Sequence, residues 1–271
     1  MDPLLLLLRA SLVVLLVNSN DDTVVLVAVA ATCVIVLPRP AVLTSPWFWG
    51  LAFVVIGLRQ LSSWHALDDH VVVTTYWCGA IALALTAKDR GTTLAASARF
   101  LMGALFAFAA GWKIRSAEFV DSSFFRYTFL FDERFDAVAR VVGGTSEAAR
   151  RANIDAVEGL LAAAETGEIV MREGDRVGAL ASVFTWWGLL IETAVAATFV
   201  LPLSHRFGVL RHATLVTFVA TTYIVVPIAG FGSLLLILGA AQATSARGRL
   251  WYLVGTLGLL LWSQLWPLLF R

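Results

Sequence analysis

Residue types capable of chemistry concentrate at three places in this chain. The first is Trp64-His65-Ala66-Leu67-Asp68-Asp69-His70, which sets two imidazoles and two carboxylates within six positions. Both groups are suitable metal ligands, and His65 and Asp69 stand one helical turn apart if a helix starts early. The run lacks the His-Glu-x-x-His spacing of a helical zinc site. Its competing reading is an interfacial Trp64 with Asp residues capping the helix that follows. The second place is Lys113, in Phe108-Ala109-Ala110-Gly111-Trp112-Lys113-Ile114. A lysine near a helix end can snorkel its ammonium to lipid headgroups, whereas partial desolvation turns such an amine into a usable base. The third is Glu192, in the apolar run Trp186-Trp187-Gly188-Leu189-Leu190-Ile191-Glu192. A charge at mid-membrane costs roughly 2.5–3.5 kcal/mol on insertion scales. Arg9 and Arg99, also within apolar runs, are its candidate partners, and such a pair can fix helix register.

The elements that hold these residues are set by composition. The chain of 271 residues is 59% hydrophobic and 14% charged, with a mean hydropathy of +0.81. A soluble domain carries about 25% charged residues, so lipid must solvate most of this one. A formal net charge of +1 gives no basic footprint for a nucleic acid. Cys33 and Cys78 both lie in apolar runs and read as small core residues rather than a disulfide framework. Asp2 replaces the basic start of a cleavable signal, so the first apolar run is expected to remain as a span.

Apolar segments fall at 4–17, 23–37, 47–61, 70–85, 93–113, 179–201, 208–226, 228–242 and 250–270. A spanning helix needs about 20 apolar residues, so the shorter early segments must thin the bilayer or pack inside the bundle. The expected fold is all-α: a polytopic transmembrane bundle of about nine spans with an outward-facing, partly helical loop. It divides into an N-terminal bundle of five spans at 1–114, an extracytoplasmic interfacial segment at 115–178 and four spans at 179–271. With the N-terminus cytoplasmic, the inner loops hold Arg39, Lys88, Arg90, Arg206, Arg211, Arg247 and Arg249, and the outer loops hold Asp21, Asp22, Asp68 and Asp69. That distribution satisfies the positive-inside rule and puts the C-terminus outside. Fusing the segments around Pro227 would move Arg247 and Arg249 outside, so they are kept separate. Short loops and arginine-rich composition suit a bacterial inner membrane.

Residues 115–178 hold about half of the charged residues. Phe124-Phe125-Arg126-Tyr127-Thr128-Phe129-Leu130-Phe131 suits a lipid–water interface. An amphipathic helix should follow, capped by Thr145 or Ser146, with an apolar stripe at Ile154, Val157, Leu160, Leu161 and Ala164 and an end at Gly167. It reads as a cap lying on the bundle or as a surface for a membrane or secreted protein partner through 146–167. Consecutive antiparallel helices joined by a short loop are normally neighbours, so His70 and Lys113 should converge at the outer face.

Three blocks over roughly residues 60–240 resemble the HTTM family, which includes the membrane part of vitamin K-dependent gamma-carboxylases. Trp64-x-x-x-Asp68-Asp69-His70 is similar to its Trp and Asn/Asp-Asn-His opening of a span, with Asp69 where Asn is usual. Ala110-Gly111-Trp112-Lys113-Ile114, followed by Glu118-Phe119, resembles its Gly-x-x-Lys-Leu and acidic-aromatic pair, with Ala for the Gly. Ile191-Glu192, then Pro202 and Arg206-Phe207-Gly208, look like the acidic opening and basic turn of a later span. The resemblance implies Lys113 as the base that initiates oxygenation of an isoprenoid quinol, His70 assisting it, and Trp64, Asp69, Glu118 and Glu192 in support. The chain departs from the family in having no His between Leu215 and Val226, with His212 too early, and in lacking the following soluble domain. DoxX-like proteins share the Gly-x-x-Lys pattern.

Two functional readings result. One is a quinol-linked, carboxylase- or oxygenase-like membrane enzyme; the other is a non-enzymatic DoxX-like subunit or assembly or immunity factor. A transporter is weaker, because Pro227 with Gly230 is a single break with no counterpart in an inverted repeat.

Overall fold

A computed structural model describes residues 2–19, 23–62, 69–163, 169–201 and 208–270; for residues 69, 70, 161, 163 and 270 it describes the backbone. Every described element is helical. Local chemistry sets several starts. The Asp2 carboxylate accepts from Leu4 N at 2.9 Å and Pro3 opens α1 (Pro3–Val17). After α2 (Thr23–Val36) and the short α3 (Pro40–Leu43), α4 (Pro46–Ser62) and α5 (Asp69–Thr86) pack side by side. Asp89 accepts from Thr92 N at 3.0 Å to start α6 (Arg90–Arg115), which packs back along α5.

The cap comprises α7 (Ala117–Val120), α8 (Ser123–Phe131), a 3-10 turn at Glu133–Phe135, α9 (Asp136–Val141) and α10 (Glu147–Ala163). The chain then returns through α11 (Val177–Val200), α12 (Gly208–Tyr223), α13 (Ala229–Gln242) and α14 (Ala246–Phe270). α12 ends at Tyr223 and α13 starts at Ala229, so the segments on either side of Pro227 form separate helices.

Burial identifies α13 as the central element: every residue from Gly232 through Ala240 is buried. It touches α1, α5, α6, α12 and α14. Side-chain hydrogen bonds tie the surrounding helices, since lipid offers no water to satisfy a polar group. Trp77 Nε1 donates to Ser11 Oγ at 3.0 Å, and Asn18 Nδ2 to Thr74 Oγ1 at 3.0 Å, joining α1 to α5. Gln60 Nε2 donates to Val71 O at 2.9 Å and joins α4 to α5. Cys33 and Cys78 are free and buried.

Three helices are long and apolar enough to cross a bilayer: Arg90–Arg115, Val177–Val200 and Ala246–Leu269. The segments at 4–17, 23–37, 70–85 and 228–242 form shorter apolar helices. Trp47, Phe100, Phe108 and Trp112 stand exposed on the outside of the bundle. That surface is compatible with contact to lipid and anomalous for one facing water.

In the cap, the aromatic segment expected at an interface builds a small core of its own. Phe125, Phe129, Phe135 and Phe184 cluster over Val177 and Ala181 at the start of α11. The Phe129–Phe184 centroids are 5.1 Å apart and nearly perpendicular, an arrangement worth about 0.5–1.5 kcal/mol beyond burial. Arg126 pairs with Glu173, whose hydrogen bond and charge raise the guanidinium further above its ordinary value. Ser146 caps α10 by accepting from Ala149 N at 3.1 Å, whereas Thr145 Oγ1 accepts from Gly174 N.

The expected apolar stripe on α10 is only half-buried at Ile154, Val157 and Leu160; the deepest positions are Arg150 and Asn153. Asn153 explains the rotation, donating to Arg172 O at 2.9 Å and accepting from Arg172 N at 2.8 Å. Ala164 and Gly167 lie outside the described residues.

Candidate functional site

The contact between α6 and α11, two of the helices long and apolar enough to cross a bilayer, positions a part-buried charge pair. Its register is fixed at one end by Arg99, whose Nε donates to Phe199 O at 2.9 Å and Nη2 to Leu201 O at 2.7 Å. Carbonyls at a helix C-terminus lack intrahelical donors and carry the negative end of the dipole, so a guanidinium suits them. At the other end Lys113, in the last turn of α6, reaches Glu192: Nζ to Oε1 is 2.5 Å. The start of α11 lies beyond the end of α6, inside the cap core, which is why Lys113 meets the second half of α11 rather than its first turn.

Burial makes this pair unlike a surface ion pair. The side chains are 25% and 11% exposed. Ser116 caps α7 by accepting from Phe119 N, and the chain turn there brings the buried Phe119 ring to 5.0 Å from Lys113 Nζ. A ring face attracts a cation at this separation. Glu192 Oε2 is buried and has no hydrogen-bond donor among the described residues, and neither does Thr185 Oγ1, two turns earlier on α11. Tyr223, buried at the end of α12, lies within electrostatic range of Glu192.

The structure therefore joins Lys113 to Glu192 and corrects the partners expected for that carboxylate. Arg9 and Arg99 bond helix-end carbonyls instead, Arg9 Nε donating to Leu37 O at 3.3 Å. Charge complementarity suggested either arginine, but the α6–α11 register places Lys113 closest.

Glu118 is exposed in α7, and its carbonyl accepts from Ser123 Oγ; of the Glu118-Phe119 block it is Phe119 that touches Lys113. α5 begins at Asp69, and the three-residue link to α6 makes an antiparallel hairpin with the His70 and Lys113 ends at the same end. Trp64, His65 and Asp68 lie outside the described residues, as do the side chains of Asp69 and His70. Among the described residues no group of three or more His, Cys, Asp or Glu gathers as metal ligands. His212 is committed elsewhere, its Nδ1 2.6 Å from Tyr252 Oη on α14.

Thr185 and Tyr223 are the site residues that the sequence did not single out, whereas Phe119 was marked only as part of the Glu118-Phe119 pair. Each is an ordinary apolar or small polar residue in a helix, and only the tertiary contact gives it meaning. Compared with family models, with characterised proteins and with solved structures, the chain finds no match.

Proposed function

We propose that this chain is a nine-span membrane protein with a cytoplasmic N-terminus whose Lys113–Glu192 pair moves a proton for a quinol-linked, HTTM-like reaction at the cap-side face. The observation that carries the reading is Glu192 Oε2, a buried carboxylate oxygen without a donor. Leaving such an atom unsatisfied costs about 1–3 kcal/mol. A purely structural ion pair gains nothing from that cost, whereas an open lone pair on Oε2 lets the carboxylate accept a hydrogen bond from a bound hydroxyl while Oε1 exchanges a proton with Lys113.

The donor set fits a hydroxyl-bearing ring: an amine and a carboxylate in hydrogen-bond contact beside the Phe119 face. When bound, a reduced isoprenoid quinone would supply the acidic hydroxyl and the electrons. Lys113 becomes a base by passing one ammonium proton to Glu192, which neutralises both groups. The free amine can then take a proton from a hydroxyl placed against it, and Phe119 favours the ammonium that results. His70, at the same end of the α5–α6 hairpin, is the assisting group implied by the family resemblance.

Oxygen uptake by the purified protein with a reduced isoprenoid quinone tests this reading. Uptake by wild type that disappears in Lys113→Ala and falls at least tenfold in Glu192→Gln is expected. Absence of uptake in wild type, or equal uptake in both variants, overturns it.

A second reading, a non-enzymatic DoxX-like subunit or assembly factor, is favoured by one observation. α10 touches the rest of the cap mainly through α8 and leaves much of its length exposed. A partner protein cross-linked specifically through residues 146–167, with no quinol-dependent uptake, would establish that reading in place of the first.

A further inference from the structure

In the cap, Arg150 is buried on α10 with its side chain 8% exposed. Its Nε stands 3.5 Å from Asp136 Oδ1, outside hydrogen-bond geometry, and its Nη2 has no hydrogen-bond acceptor among the described residues. Asp136 is already bridged by Arg140, 2.8 Å away at Oδ2. One carboxylate therefore faces two guanidiniums, and the buried Arg150 Nη2 keeps an unmet hydrogen-bond donor among the described residues. Arg134 is held by Asp132 through both carboxylate oxygens.

Arg150 forms part of the wall of a cavity of about 420 Å³ that Glu133, Arg134 and Asp136 share with Trp266 and Pro267 at the end of α14. An apolar groove of about 460 Å³ runs along α12 and α14, lined by Val219, Ile224, Leu236, Gly255, Gly258 and Trp262. The two adjoin through one aromatic pair: Trp262 lines the groove, Trp266 the cavity, and their rings are 5.5 Å apart. Trp262 is fixed by donating from Nε1 to Ile224 O at 2.9 Å. A cavity with an unmet guanidinium donor in its wall thus opens beside an apolar groove, with tryptophans at the junction as at a membrane interface.

We propose that this composite site holds a glycerophospholipid, its phosphate on Arg150 and an acyl chain in the α12–α14 groove. Charge complementarity selects the occupant. A phosphodiester oxygen supplies the acceptor that Arg150 Nη2 lacks among the described residues, and the exposed Glu133 on the cavity wall matches the ammonium of an ethanolamine headgroup. The glycines make room for the chain: an added Cβ at Gly258 meets nothing, and at Gly255 only Leu236 at ordinary contact distance. The lipid would tie the cap to α14 independently of the reaction proposed for Lys113.

Native mass spectrometry of the purified full-length protein tests the proposal with three probes: dioleoylphosphatidylethanolamine, dioleoylglycerol and inorganic phosphate. Wild type should bind one phosphatidylethanolamine at least tenfold more tightly than dioleoylglycerol, which has the chains without the phosphate. Arg150→Gln and Gly258→Leu should each weaken the phospholipid at least tenfold, and Gly188→Leu, on α11 where an added Cβ also meets nothing, should bind as wild type. Gly258→Leu lies outside the cap and keeps the test decisive if Arg150→Gln does not fold. Dioleoylglycerol binding as tightly as the phospholipid overturns the proposal, as does wild-type affinity in Gly258→Leu. Displacement of the lipid by millimolar phosphate would make this a free-anion site and overturn it equally.

Discussion

Lys113 and Glu192, 79 positions apart in sequence, meet at 2.5 Å across the α6–α11 contact. Neither charge is stable alone at this depth, because a buried ion whose partner is removed keeps its desolvation cost. Lys113→Met and Glu192→Leu should therefore each lower the thermal unfolding midpoint, and the double variant should lose less than the sum. A coupling of about 1–3 kcal/mol is expected from a double-mutant cycle in detergent. Additive losses would mean that the two side chains do not act as a pair.

How far the sequence discloses this arrangement depends on what each residue pairs with. Lipid-facing helices are apolar all round, so the runs at 93–113 and 179–201 mark α6 and α11 without saying which faces meet. Lys113 and Glu192 stand out as isolated charges, yet charge alone pointed Glu192 towards Arg9 or Arg99. Both arginines bond backbone carbonyls, partners that no inventory of side chains reveals. The pairing follows from α11 running past the end of α6 into the cap, and that overlap depends on the Phe129 core rather than on any pattern within α11. Arg150 was hidden for a related reason. In a helical pattern it belongs to the charged face of α10, and only the tertiary structure buries it beside Asp136 in the wall of a cavity it shares with the end of α14.

Arg99 should matter more than its partly exposed position suggests. Its fork holds two carbonyls at the end of α11, and hydrogen bonds to a charged group contribute about 1.5–3 kcal/mol. Arg99→Gln is expected to speed amide exchange over residues 195–201. Arg99→Lys should recover only part of the protection, since one ammonium does not reproduce the planar fork. Unchanged exchange in Arg99→Gln would show that the α11 end is held by other contacts.

Cap stability should fall in acid. Burial raises the Asp132 carboxyl, but hydrogen bonds from Arg134 and the charges of Arg134 and Arg150 more than offset it, leaving it below the ordinary 3.8. Hydrogen bonds from Ser123 lower Asp121, and the Arg151 side chain lowers Glu147. A carboxyl depressed in the folded state binds fewer protons there than in the unfolded chain. Its stabilisation is present above the ordinary carboxyl range and is lost as pH falls through the depressed value. Amide exchange in residues 117–163 should accelerate below about pH 4, and Asp132→Asn should flatten that dependence. Equal acid sensitivity in Asp132→Asn would assign the effect to other groups.

Close packing of α13 against α14 rests on Gly239. A Cβ built there collides with the Tyr252 ring and approaches Leu215 Cδ2 to 2.9 Å. Tyr252 has little freedom to yield, because its hydroxyl is held by His212 at 2.6 Å and its ring is buried. Gly232 is different: its added Cβ would first strike the flexible end of Leu259, which can turn aside, before the Tyr223 ring at 2.9 Å. Gly239→Ala should cost about 1–3 kcal/mol by overpacking and should exceed Gly232→Ala in thermal melts. Pairing Gly239→Ala with Tyr252→Phe removes the His212 hydrogen bond, frees the ring to move and should recover part of the loss. If Gly239→Ala melts as wild type, the α13–α14 separation is not set by this glycine.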